Sequence, residues 1–305
     1  IDAGLEGPAA DGLAVVNESN LSKLAGGVFS RWQLAGDLRT ELRLAMNLGD
    51  ISEPPQVDLM TRFSGVDLDI QPGNLPVRKI SGALNYRTGQ GFSSSDLVGE
   101  LWGRPLYAVV GQSGAAGRGR GKPSAVTIDL ASVLDIGDIG KWLDLDLRAT
   151  ARGRSAVDAR LVLPANARGR LRLDTRLEGI SLELPTPWGK PAGTARRLAL
   201  EMSPSGTGAV LDFELEGGLQ ARLDFTDGGL RAGAVAFGEK PAGLEAGVLR
   251  ITGRAGRVKV GEWDRYLSGY FRPGPGDDKA GETVSAGGPA GRVLPVMPCV
   301  FSAGR

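Results

Sequence analysis

The feature that most constrains the fold is a strict alternation of apolar and polar residues between Leu34 and Leu48. The apolar members share one parity, and they are Leu34, Leu38, Leu42, Leu44, Met46 and Leu48. The other parity carries Asp37, Arg39, Glu41, Arg43 and Asn47. A period of two is that of a β-strand with one buried face, whereas a helix would scatter these residues around its axis. The segment therefore predicts a strand that is apolar on one side and wet on the other.

This strand would be unusually long. At about 3.3 Å per residue it would extend for roughly 50 Å, well beyond the usual strand of about 5 or 6 residues. We therefore expect either an unusually wide sheet or a break in the run, at Gly36 or at a bulge.

The same alternation returns along much of the chain. It covers 57–70, 75–86, 126–130, 143–149, 157–163, 171–184, 198–202, 211–215 and 219–225. Turn-forming pairs such as Pro72-Gly73 and Thr88-Gly89 separate these segments. The pattern predicts an all-β chain, a long twisted and curled antiparallel sheet built as a meander, with minor short helices.

Two of these segments match each other. Leu59–Ile70 and Leu173–Leu184 share a Thr-Arg pair and a glycine, at a constant separation of 114 residues. In both, the apolar parity shifts by one at the glycine, Gly65 or Gly179, as a β-bulge or bend would require. We interpret this as an internal repeat of about 57–110 and 171–226; a chance match between two amphipathic strands is the alternative.

Composition argues against catalysis. The chain has no histidine, which removes the commonest general base and the commonest transition-metal ligand. Its single cysteine, Cys299, cannot form an internal disulfide. With 36 basic and 35 acidic side chains, the net charge of +1 gives no overall attraction to nucleic acid. We predict no catalytic residues, no metal and no cofactor, although paired carboxylates keep a carbohydrate-active β-solenoid enzyme open.

Several local motifs have plainer explanations than chemistry. Residues Asp135–Trp142 and Gly89–Gly91 only superficially resemble phosphate and dinucleotide loops, and we assign both to turns. Asp144 and Asp146 alternate with leucines as outward residues of a strand, so a calcium cluster with Asp135 and Asp138 is disfavoured. The basic run Arg118–Lys122 is assigned to a flexible hairpin loop.

The end of the sequence departs from the meander. Trp263, Tyr266, Leu267 and Tyr270 have helical spacing, which predicts a short helix over 261–271. Residues 272–305 are rich in glycine, proline and alanine, and we predict a linker or disordered tail after a β-segment of 1–271. Because the first residue is Ile1 rather than methionine, we expect this chain to be part of a longer polypeptide. No run of about 18 apolar residues occurs, so we expect no transmembrane helix within it.

Two stretches carry a family resemblance. One is Arg176–Ala192 (Arg-Leu-Glu-Gly-Ile-Ser-Leu-Glu-Leu-Pro-Thr-Pro-Trp-Gly-Lys-Pro-Ala), followed by Arg196–Leu200. The other is Leu75–Tyr86, which continues through Gly91-Phe92 to Leu101–Tyr107. Together they resemble the YhdP-type AsmA-like proteins of Gram-negative envelopes, over roughly residues 13 to 271.

The resemblance implies a function. It suggests a segment of a bridge-like lipid transfer protein, whose periplasmic β-groove moves phospholipids between the inner and outer membranes and supports the outer-membrane barrier. Phospholipid acyl chains, the two membranes and unidentified envelope proteins would be the partners, with no nucleic acid. An N-terminal helix outside this chain would anchor it in the inner membrane. A non-catalytic envelope assembly or structural protein is the alternative.

On this hypothesis the strand residues of apolar parity would line the groove. The candidates are Leu38, Leu42, Leu44, Met46, Leu59, Phe63, Leu171, Leu173, Leu177, Leu211, Phe213, Leu223 and Phe225. Ordinary core packing is the alternative role for each of them.

Overall fold

The computed structural model describes residues 1–18, 28–47, 55–71, 75–113, 125–143, 147–164, 167–184, 188–205, 208–226, 229–253 and 299–303. Within these ranges the chain forms eighteen strands, two α-helices and two short 3-10 helices. The predicted all-β class is therefore confirmed. The chain divides into two compact units. The first unit is Ile1–Leu134, Ala156–Thr175 and Ala199–Pro204, and the second is Asp135–Ser155, Arg176–Leu198 and Ser205–Arg305.

In the part of the N-terminal half that the structure describes there are nine strands and one α-helix. In chain order they are β1 (Asp2–Pro8), α1 (Ala9–Glu18), β2 (Gln33–Ala35), β3 (Asp37–Ala45), β4 (Gln56–Ile70), β5 (Leu75–Arg87), β6 (Gly91–Ser93), β7 (Leu97–Leu101), β8 (Arg104–Ser113) and β9 (Ala125–Asp135). A 3-10 helix, Val28–Arg31, precedes β2. Pairing in the first unit runs β1–β3–β4–β5–β7–β8–β9, and every one of these pairs is antiparallel. The predicted meander is thus present here.

The remaining elements follow Asp135. They are α2 (Ile136–Leu143), a 3-10 helix Leu147–Ala149, β10 (Ala151–Pro164), β11 (Arg170–Thr175), β12 (Ile180–Leu182), β13 (Leu198–Ser205), β14 (Gly208–Leu215), β15 (Leu219–Thr226), β16 (Gly229–Phe237), β17 (Leu249–Gly253) and β18 (Cys299–Ala303). In the first unit, β10 also pairs with β9 and β11, and β11 pairs with β13. In the second unit, β14, β15 and β16 form an antiparallel meander.

Gly36 divides the long N-terminal run of alternation. Its φ of +103° lies in a region that side chains disfavour, and the strand is interrupted there between β2 and β3. Both strands pair with β4, which stays continuous over 15 residues because it bulges at Gly65. The register with β5 passes from Ser64 opposite Ser81 to Val66 opposite Ile80, so Gly65 is the extra residue. The expected break and bulge are both confirmed.

The matching segment, 173–184, is bent rather than bulged. β11 ends at Thr175, and the chain turns through Gly179, with a φ of +88°, before β12 begins at Ile180. The predicted strand over 171–184 is therefore two short strands. The internal repeat itself stays a prediction.

One predicted strand and one predicted turn are wrong. Residues 136–143 form helix α2, so the turn predicted over 135–142 is wrong. The described ends of the strand predicted over 143–149 are helical too, because Leu143 ends α2 and Leu147–Ala149 is a 3-10 helix. The Gly137 backbone N–H donates to Asp135 Oδ1 at 2.8 Å, which is an N-cap contact. This cap and the spacing of Ile136, Ile139 and Leu143 favour a helix, against two glycines of low helix propensity.

The second unit also contains parallel pairs, so its strands are mixed in direction. β16 pairs parallel with β17, and β17 pairs parallel with β18. For β16 and β17 the connection over 238–248 crosses back instead of reversing in a hairpin. Alternation alone predicts a strand but not the direction of its neighbour.

Some predictions fall outside the described residues. These include the helix over 261–271, the basic run Arg118–Lys122, Asp144, Asp146 and most of the predicted tail. The 114–124 segment connects β8 and β9, which pair up to Ser113 and Ala125. Within the tail, Cys299–Ala303 forms β18.

Candidate functional site

An apolar ladder crosses the first unit from β3 to β5. Directly opposed residues of paired strands lie on the same face of a sheet. Leu42 on β3 lies opposite Leu59 on β4, which in turn lies opposite Tyr86 on β5. Leu38 likewise lies opposite Phe63. We call the surface that contains these residues the apolar face of the first unit.

The opposite face of the same strands is charged. Arg62 Nη1 donates to Glu41 Oε1 at 2.6 Å, and Arg87 Nη2 donates to Asp58 Oδ2 at 2.7 Å. Both pairs bridge neighbouring strands and are largely exposed, so each contributes at most about 1 kcal/mol to stability. Their main effect is to keep this face hydrated while the apolar side chains lie on the other.

The second unit repeats this division in β14–β16. Leu211 lies opposite Leu223, and Phe213 lies opposite Ala221. On the other face, Arg222 donates to both oxygens of Asp212, at 2.6 and 3.1 Å. These hydrogen bonds raise the pKa of Arg222 above its ordinary value. We call the side with the leucines the apolar face of the second unit.

The face of β16 opposite the apolar face is less exposed to solvent than sequence alternation predicts. Ala232, Ala234 and Ala236 are at most 2% exposed, and Asp224 opposite Ala232 is 3% exposed. The carboxylate of Asp224 accepts a hydrogen bond from Arg231, which offsets the cost of burying it. Small residues on a strand therefore mark a covered surface that alternation of polarity does not reveal.

The second unit also buries a lysine. Lys190 is 5% exposed, and its Nζ donates to the carbonyl oxygens of Ile180 and of Pro191. Burial away from water lowers its pKa below the ordinary value, with Arg196 adding repulsion. The two carbonyl oxygens satisfy the buried ammonium group, and these hydrogen bonds hold the segment after β12 against the strand. The role of Lys190 is therefore structural.

Parts of each apolar face are packed. In the first unit Phe92, Val110, Val126 and Leu163 form a buried cluster, with Leu163 only 1% exposed. In the second unit Ala151, Leu177, Ile180 and Leu215 form another. By contrast, the leucines of β3 and Leu59 and Phe63 of β4 are half-buried. The apolar faces therefore combine filled core with surface that is still accessible.

The predicted lining residues divide in the same way. Eleven are half-buried strand residues: Leu38, Leu42, Leu44, Leu59, Phe63, Leu171, Leu173, Leu211, Phe213, Leu223 and Phe225. Met46 follows β3 and is 57% exposed. Phe213 packs against the buried cluster of the second unit. Leu177 is 5% exposed within that cluster, in a turn with a φ of +51°, and so lies in packed core.

Sequence reasoning missed the first strand and helix. β1 pairs with β3 and carries Leu5, which is 57% exposed, on the apolar face opposite Thr40. Helix α1 then crosses to this face, because an added Cβ on Gly12 would lie 2.8 Å from Leu38 Cδ2. The glycines at positions 4 and 7 hide the alternation of β1, and helix α1 begins directly after Pro8, a position where the helix signal is weak.

Two further observations apply to the described residues. Among them, no group of three or more His, Cys, Asp or Glu side chains is arranged to hold a metal ion. No helix in the described ranges has the length and apolar character needed to cross a membrane. What these ranges do offer is apolar surface backed by a charged face, an arrangement suited to contact with hydrocarbon.

The chain matches the model of a known protein family. The family model described as YhdP protein matches residues 1–299. No curated protein and no solved structure matches the chain. The family is not a known enzyme family. The match covers nearly the whole chain and agrees with the resemblance seen in its strands and turns, so this chain belongs to the YhdP family of AsmA-like proteins.

Proposed function

We propose that the apolar faces contact phospholipid acyl chains, and that the chain is a segment of a periplasmic lipid transfer protein between the inner and outer membranes. The observation that carries the proposal is the half-buried ladder of Leu38, Leu42, Leu59 and Phe63, backed by an ion-paired opposite face. Family membership supports an envelope role.

The physical argument concerns hydrocarbon in water. Moving an acyl chain out of a membrane exposes it, at a cost of about 0.8 kcal/mol for each CH₂ group. A carrier must replace that contact along much of the chain, so it needs extended apolar surface rather than a few specific bonds. Half-buried leucines on adjacent strands, about 4.8 Å apart, provide such a surface.

Two matched double variants test the proposal. Leu42 and Leu59 lie directly opposite each other on the apolar face, and Arg39 and Arg62 lie directly opposite each other on the charged face. We expect Leu42→Asp with Leu59→Asp to reduce both the phospholipid that co-purifies, measured by mass spectrometry, and phospholipid transfer between vesicles. The control, Arg39→Asp with Arg62→Asp, adds the same number of carboxylates and should leave both unchanged.

The proposal fails if the unmodified chain binds no phospholipid. It also fails if the leucine variant, folded by circular dichroism, transfers phospholipid at the normal rate.

A second candidate function is a docking platform for another envelope protein. Val98 on β7 and Tyr107 on β8 are paired in register, and they are 43% and 58% exposed. Both lie on the face of the sheet that points away from the buried cluster of the first unit. Val109, two residues along β8, is 48% exposed. An apolar patch on an otherwise charged face is typical of protein contacts. Tyr107→Ser with Val109→Ser should then impair the envelope role while leaving lipid binding intact, measured by the phospholipid that co-purifies.

A further inference from the structure

We propose that a recess between α1 and β2 holds the end of one phospholipid acyl chain, the part furthest from the headgroup. This inference rests on the proposed function and adds a specific subsite to it. The recess lies within the first unit and has a volume of about 250 Å³. Its walls include Leu13 and Ala14 of α1, Trp32, and Leu34 of β2, with the amides of Asn17 and Gln33.

The recess is continuous with the apolar face of the first unit. Leu34 lies opposite Leu68 on β4, beyond the bulge that keeps the apolar parity of that strand on one side. A few residues along, Leu38 contacts α1 at Gly12. The helix therefore lies over the same face that carries Leu42 and Leu59, and the space beneath it is bounded by that face.

The chemistry of the lining selects the ligand. None of the residues that line the recess is ionisable, so nothing there would balance a phosphate or a carboxylate. At about 30 Å³ for each group of the size of a water molecule, 250 Å³ accommodates about eight such groups. That is room for a stretch of hydrocarbon, with the headgroup left outside.

The walls of the recess are held in place. The Ala9 backbone N–H donates to the carbonyl oxygen of Gly36 at 2.8 Å, and Ala9 is fully buried. The ring of Trp32 packs edge to face against Phe29, with 4.9 Å between the ring centroids. The Asn17 side chain donates to the carbonyl oxygen of Phe29 at 3.3 Å. A pre-formed site of this kind loses little entropy when a ligand enters.

Quenching of tryptophan fluorescence by brominated lipids tests the inference directly, because bromine quenches by contact. The full chain is mixed with phosphatidylcholine brominated either near the methyl end or near the carbonyl end of one acyl chain. We expect stronger quenching from the methyl-end label. The excess should disappear in Trp32→Phe, which isolates this tryptophan from the other four.

A matched pair of α1 variants locates the contact. Ala10 lines the recess, whereas Val15 on the same helix is 66% exposed and does not line it. Ala10→Phe should fill the recess and remove the excess quenching, and Val15→Phe should preserve it. Equal quenching by both labels would overturn the inference, as would a methyl-end excess that survives Trp32→Phe or Ala10→Phe. Quenching by a brominated free fatty acid but not by the brominated phospholipids would also overturn it.

Failure of the subsite is distinguishable from failure of the proposed function. If phospholipid co-purifies and is transferred but Trp32 is not quenched, the subsite is wrong and lipid transfer stands. If no phospholipid binds, the proposed function is wrong, and the subsite falls with it.

Discussion

Gly65 and Gly179 occupy matching positions in two similar sequence segments, but their surroundings differ. Both have a positive φ, +72° and +88° respectively. An added Cβ on Gly65 would meet nothing within 4 Å, whereas on Gly179 it would lie 2.3 Å from the carbonyl oxygen of Arg154. At position 65 glycine is favoured only by the positive φ. At position 179 it is favoured both by the positive φ and by the lack of space for a side chain.

This difference predicts unequal costs for the same substitution. Gly65→Ala should lower the free energy of unfolding by about 1 kcal/mol, the cost of a left-handed backbone. Gly179→Ala should cost about 1–3 kcal/mol more, because backbone atoms must move to admit the methyl group. Urea unfolding of both variants measures the difference. Equal losses would show that the strand around Arg154 gives way freely.

The position of Leu177 shows why sequence alternation cannot assign every residue to a face of the sheet. Leu171, Leu173 and Leu177 share one parity in the sequence, which predicts one face for all three. Leu171 and Leu173 do lie on β11, opposite Leu161 and Ala159 of β10. Leu177 leaves the strand in a turn and packs with Ile180 and Leu215. Alternation locates a face only while the backbone remains extended, and a non-glycine residue with positive φ has no reliable sequence signal.

At the scale of elements, α2 depends on its first residues. Its sequence, Ile136–Leu143, is only eight residues long and includes two glycines, so its intrinsic stability is low. Asp135 compensates by accepting a hydrogen bond from the Gly137 backbone N–H and by pairing with Arg154 at 2.7 Å. The helix start is therefore fixed by one carboxylate with two kinds of contact.

Two substitutions of this residue separate the contacts. Asp135→Ala removes both the cap and the ion pair, and we expect a loss of about 1 kcal/mol or more in the free energy of unfolding. Asp135→Asn keeps an acceptor oxygen, because asparagine is also a good N-cap, and it should lose only the exposed ion pair, at most about 1 kcal/mol. Urea unfolding provides the measurement. If the two variants are equally stable, the cap does not support the helix.

Elements differed in how well the sequence predicted them. β4, β5 and β15 follow long, regular alternation, and the structure places all three within a residue or so of the expected bounds. β6 and β17 were missed because three to five residues are too few to establish a period, and β16 because Ala and Gly dilute its polarity. Helix α2 was missed because its glycines resemble a loop.

At the scale of the whole molecule, the apolar residues that the structure describes belong to two populations. Leu163 is 1% exposed within a packed cluster, whereas Met46 is 57% exposed after β3. Sequence alternation treats both as residues of an apolar face. It cannot separate them, because burial depends on which other strands the sheet brings near, and those contacts are distant in sequence.

The two populations should respond differently to truncation. Leu163→Ala should lower the free energy of unfolding by about 2–5 kcal/mol, since it leaves a cavity in a filled cluster. Met46→Ala should change it by about 0.5 kcal/mol or less, because most of that side chain is already in water. Urea unfolding of both variants tests the distinction, and a large loss for Met46→Ala would place it in packed core instead.

The meander has a consequence for how the chain reaches its folded state. β3, β4 and β5 pair in sequence order, as do β7, β8 and β9, and again β14, β15 and β16. Each pairing closes a short loop, which costs little entropy and speeds folding. A strand can thus find its partner once the next strand has been made. Assembly of each run can proceed hairpin by hairpin, without waiting for distant parts of the polypeptide.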